Sequence, residues 1–219
     1  MISASDTRYS ETELTQRRQL RVLVLLEAAA AAGLEPVRLP MLHNLAYLSN
    51  ALAPVWQLDP FDGAVLKRRG SPYYPTLQWD VDRLVGCGLL HVQDVRYVKV
   101  DDRWQIDASY CLNRSMTRPV LEAGRAVGFE PGLEDFCNAL AQAMSAFPPE
   151  EVGRLLSEDA AYGNPAVNVS NVVNFAESHG VNFATNAARA FRPDIPLTAG
   201  ERVNLYVNHL HARLVRRGR

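Results

Sequence analysis

Lysine is almost missing from this chain. Of 23 basic residues only Lys67 and Lys99 are lysine, and they stand with arginine against 24 acidic residues, for a net charge of −1. No global field of that size draws a protein onto nucleic acid or an anionic membrane, so any such contact must come from a local patch. Cysteine is scarce too. Cys87, Cys111 and Cys137 form neither an even set nor a Cys-x-x-Cys pair, which points to free, mostly buried thiols in a reducing compartment. The opening "MISASDTRYSETE" lacks a basic stretch followed by an apolar one, so secretion is not indicated. The longest apolar run, "VLVLLEAAAAAGL", is broken by Glu27 and falls short of the ~18 residues a membrane span needs. The expectation is a cytoplasmic protein with no membrane partner.

Catalytic signatures are missing as well. There is no HExxH, no EF-hand loop, no Walker glycine loop and no GxGxxG. His209 and His211 are two apart, about 200° around a helix, and cannot share a metal as i, i+4 ligands would. Glu158 and Asp159 are adjacent and would face different ways, whereas paired acid–base work needs convergence. Nothing in the sequence brings His179 to Cys137. Asp80, Asp82, Arg83 and His91 could form a site only if the fold gathered them. The chain reads as a non-enzyme without metal or cofactor.

What is present is helical patterning. Ser10 and Glu13 fit a capping box, opening a helix that should run to Gly33, with Leu20, Val24 and Ala28 on one stripe widened by Leu23 and Leu26. Arg17, Arg18 and Arg21 read as its solvated face. Residues 39–52 suit a second helix with Pro40 in its first turn. His43 belongs at the surface or in a satisfied core position. Residues 53–75 read as an ordered, Pro- and Gly-punctuated connection. Pro75 then opens a third helix, with Leu77, Val81, Leu84 and Val85 inward and Gln78, Asp80, Asp82 and Arg83 outward. Two β-favouring runs follow, "LLHVQDVRYVKV" and "RWQIDASYCL", joined by Asp101-Asp102. From Met116 the pattern is helical again, including 170–179, 182–191 and a last helix capped by Thr198 and Glu201.

The expected fold is therefore mainly α with a small β wing: a winged-helix domain over 1–115, then a helical domain over 116–219. In a winged helix the third helix enters the major groove and the wing touches phosphate. The cations placed for such contact are Lys67, Arg68, Arg69, Arg96, Lys99 and Arg103. Asp80 and Asp82 on the helix, with Asp94, Asp101, Asp102 and Asp107 in the hairpin, nearly cancel them. The same segment is dense in aromatics, which either finish a small core or anchor an interface. Tyr73, Tyr74, Trp79 and Arg83 are the candidates for contact with a protein partner.

The stretches "YYPTLQWDVDRLVGCGLL", "VNFATNAARAF" and "LYVNHLHARL" resemble the middle components of bacterial ABC-three-component systems, although "AYLSN" stands where that family has an early Asp-Tyr. The resemblance implies a non-catalytic subunit bridging an SMC- or Rad50-like ATPase and an effector, in defence against phage or plasmids, with non-specific DNA contact as a possible addition. The alternative is a winged-helix transcriptional regulator.

Overall fold

The computed structural model describes residues 10–60, 64–68, 72–100, 102–164, 168–174, 182–192 and 194–217. It is mainly helical with a small antiparallel sheet. Helix α1 (Glu11–Ala31) starts at the Ser10–Glu13 capping box and ends before Gly33, whose φ of +78° lets the Leu34 N–H reach back to the Ala29 carbonyl. Strand β1 (Val37–Arg38) leads directly into α2 (Leu39–Leu52), and a 3₁₀ turn (Ala53–Trp56) and β2 (Ala64–Leu66) follow. Helix α3 (Pro75–Gly86) opens with Pro75, and the hairpin β3 (Leu90–Val100) and β4 (Arg103–Leu112) comes next. The helical remainder is α4 (Arg114–Ala126), α5 (Leu133–Ser145), α6 (Pro149–Leu155), α7 (Phe183–Ala190) and α8 (Ala199–Arg217), with β5 (Val172–Asn174) between α6 and α7.

Two sheets result. One has the order β1-β4-β3, and β2 pairs with β5 in the other. Residues 170–179 were expected to be helical, but Val172–Asn174 form a strand, and 175–181 lie outside the described residues. The reason is tertiary. Val65 of β2 sits opposite Val173, and pairing with a distant strand outweighs a weak local helical pattern.

The core is built on α1 and α2. In α1 the five consecutive residues Val22–Leu26 are all buried, so the helix is enclosed on every side there, by α5, α3, α4 and β4. Helix α2 is buried from Met41 through Leu52, polar residues included. The buried side chains on both sides of residue 115 belong to a single cluster that runs from Leu23 through Leu77 to Leu140 and Val207.

Two expectations about charge are corrected by this packing. Arg17 and Arg21 do not form a freely solvated face; both are partly buried and pair with Glu130 in the α4–α5 connection, Arg17 at 2.7 Å. Arg18 Nε donates to Asp80 Oδ2 at 2.8 Å, which turns Asp80 inward to 1% exposure instead of outward on α3. In the final helix Arg213 and Arg217 both reach the buried Glu158. Next to it, Asp159 accepts from the Tyr47 and Tyr206 hydroxyls and from the N–H groups of Ala161 and Tyr162, tying α2 to α8. These carboxylates hold the fold together.

Candidate interaction groove

The hairpin register counts outward from the two-residue turn: Val100 faces Arg103, Lys99 faces Trp104, and Arg96 faces Asp107. Beyond Arg96 a bulge shifts the pairing, with Asp94 at φ +52°, before Gln93 resumes opposite Ser109. Near its base the hairpin is anchored, since Leu90, Ala108, Tyr110 and Leu112 are buried. Farther out it leaves the body. From His91 to Tyr97 every residue is exposed. Tyr97 is 71% exposed, Trp104 68% and, across on α3, Trp79 also 68%.

Between α3 and the hairpin lies a groove of about 860 Å³. Gln78, Asp82 and Val85 of α3 line it, as do Val92, Trp104 and Ile106 of the hairpin. Arg38, His43, Arg68, Tyr73 and Asp107 supply polar lining. Among the described residues the lining side chains able to carry charge near neutral pH are two arginines, two aspartates and one histidine, so their charges balance apart from what His43 adds.

His43 carries no charge there. Its side chain is 2% exposed, its Nδ1 accepts the Tyr74 N–H at 3.3 Å, and burial together with the Arg68 guanidinium lowers its pKa to about 3. The neutral ring therefore carries its proton on Nε2. Among the described residues that Nε2 has no hydrogen-bond partner, and neither do two other buried atoms of the lining, Gln78 Oε1 and Asp107 Oδ1. The other oxygen of Asp107 takes Arg38 at 2.6 Å and Arg96 at 2.9 Å. Burial opposes ionisation of Asp107, but those hydrogen bonds outweigh it and hold the carboxyl below its usual range.

The residues singled out for nucleic acid are dispersed. Lys67 donates from Nζ to the Asn164 carbonyl at 2.8 Å and lies over the Tyr162 ring. Arg68 lies 3.6 Å above the Tyr73 ring and reaches Gln105 Oε1. Arg96 is held by Asp107, and Lys99 by Asp102 at 2.8 Å. Arg69, and the side chain of Arg103, lie outside the described residues. Of the partner candidates, Trp79 and Arg83 are exposed and Tyr73 half-buried. Tyr74 is a core residue instead: it is fully buried, and its hydroxyl accepts from Asn50 Nδ2 at 2.8 Å. The aromatics thus divide. Tyr74 and Tyr110 complete the core, while Trp79, Tyr97 and Trp104 face outward.

Asp80, Asp82, Arg83 and His91 do not converge, because α1 encloses Asp80 while Asp82 lines the groove. His209 contacts Phe191, whereas His211 contacts Phe147 and Glu151. His179 lies outside the described residues. Among the described residues no cluster of three or more His, Cys, Asp or Glu side chains could hold a metal ion. The thiols are free, with only Cys137 fully buried, Cys111 partly so and Cys87 exposed.

Arg38, His43 and Asp107 are the groove residues that sequence reasoning did not assign. One signal was available: counting back from the Asp101-Asp102 turn pairs Arg96 with Asp107. Nothing comparable marks His43 or Arg38, whose neighbours come from distant segments.

Comparison with protein-family models, with curated proteins and with solved structures gives no match. Among the described residues no helix is long and apolar enough to cross a membrane.

Proposed function

We propose that this chain is a non-catalytic subunit of a multi-protein assembly, and that α3 and the hairpin form the face that holds its protein partner. The observation carrying this reading is the outward-facing Trp79, Tyr97, Trp104, Ile106 and Val95 around a nearly neutral groove. Large aromatics left in water are costly to keep and effective as interface anchors. The chain order supports a winged-helix module, because three helices precede the hairpin and α3 leads straight into β3. A role in reading DNA receives less support. Lys67, Arg96 and Lys99 already have partners within the chain, and counterion release scales with the number of cations free to meet phosphate.

The partner class proposed from the sequence resemblance is an SMC- or Rad50-like ATPase. Co-expression with neighbouring gene products tests this. The expected result is co-purification with such an ATPase, lost in a folded Trp79→Ala/Tyr97→Ala/Trp104→Ala variant. A chain that stays monomeric beside every neighbour refutes the reading. Tight duplex binding that weakens steeply with added salt favours the regulator instead.

A further inference from the structure

The groove is open along the edge of a strand. Five consecutive residues, Trp104 through Ala108, all line it. Side chains along a strand alternate between its two faces, so a cavity touching all five reaches the strand's edge, and because Val92, Val95 and Val98 of β3 line it too, it also extends over the sheet toward α3. Strand β3 occupies the other edge of β4. On the open edge β1 pairs only with Ser109 and Tyr110, and among the described residues no further strand continues it. The chain cannot continue it, because Pro40 follows two residues after Arg38 and turns the backbone into α2. Arg38, Leu39 and Pro40 line the groove where β1 stops.

Among the described residues, then, an unpaired strand edge lies beside three buried polar atoms with no hydrogen-bond partner in the protein. We infer that the β4 edge accepts an extended segment of a partner polypeptide as a fourth strand, continuing the line of β1 through the groove. A peptide strand offers what the lining lacks. Its main chain presents alternating N–H and C=O groups, able to pair with the open backbone of 104–108. The donors fit Asp107 Oδ1 and Gln78 Oε1, and a carbonyl fits the His43 Nε2–H. Its alternate side chains should be apolar, to lie against Val85, Val92 and Ile106, and uncharged, since Arg38 and Arg68 are balanced by Asp82 and Asp107. Among the described residues the outer edge of β3 is also unpaired, but it carries the Asp94 bulge and the charged Arg96 and Lys99, devices that discourage strand addition.

This inference rests on the reading of the chain as a protein-binding subunit and specifies what its groove takes. The test uses the full chain and a displayed library of short random peptides. The expected winners have alternating apolar residues, and a synthesised winner should bind the Trp104→Ala and His43→Gln variants about tenfold more weakly than wild type. N-methylation of alternate peptide amides is the decisive arm: one register should abolish binding and the other only weaken it, because only every second amide faces β4 while the rest can reach no more than the side chains of the lining. Amide exchange should slow at alternate residues within 104–108. Enrichment of no peptide, or a winner indifferent to N-methylation in both registers, overturns strand addition. If an ATPase still co-purifies through Trp79 and Tyr97 in that case, the subunit reading survives and the strand inference alone fails. If peptides bind as described but no neighbour does, the reverse holds.

Discussion

Neutral, buried His43 makes the stability of this protein depend on pH between about 6.5 and 4.5. Burial and Arg68 depress its folded pKa to about 3, against 6.5 for an ordinary histidine. A histidine depressed on folding adds stability that is fully present above pH 6.5. That stability is lost as pH falls, because the unfolded chain takes up the proton first. Each pH unit below 6.5 costs about 1.4 kcal/mol, so at pH 4.5 the loss attributable to this ring is on the order of 2 to 3 kcal/mol. His209 is also shifted down, by partial burial and by Arg213 and Arg216, and it acts in the same direction. The measurement is therefore a difference. Urea unfolding of wild type and His43→Gln should be followed from pH 7 to 4.5. Glutamine can still accept the Tyr74 N–H but does not titrate, so the variant should be the less stable protein at pH 7 and should close most of the gap by pH 4.5. Parallel curves for the two proteins would show that His43 is not held neutral in the fold, and the Nε2–H assignment would fall with it.

Two further perturbations test the packing. Asp80→Ala leaves Arg18 facing a half-buried gap and should cost about 2–3 kcal/mol by denaturant unfolding, with Arg18→Met on top of it recovering part of the loss. An Asp80→Ala protein as stable as wild type would mean that Asp80 faces solvent after all. Gly163→Ala would put a Cβ 2.2 Å from the Ser157 carbonyl oxygen and 2.7 Å from that of Asp159, so a loss of more than about 2 kcal/mol is expected in the same assay. An unchanged unfolding midpoint would contradict that close approach.

Local chemistry made much of the architecture legible. The Ser10–Glu13 and Thr198–Glu201 boxes, Pro75 at a helix start and the pairing of Val100 with Arg103 each act within a few residues, and each stands where the pattern placed it. What the sequence could not reveal is where α1 and α2 sit. An amphipathic stripe specifies one inward face, but enclosure of Val22–Leu26 on all sides depends on four other elements arriving there. The same arrival turned Asp80 from a surface carboxylate into Arg18's partner. The groove followed a similar division. Alternation along the hairpin and the Arg96–Asp107 pairing belong to the sequence, since strand register counts from the turn. The short reach of β1, the open edge it leaves and the unpartnered nitrogen of His43 belong to tertiary structure alone, because they depend on chain segments tens of residues apart meeting in space.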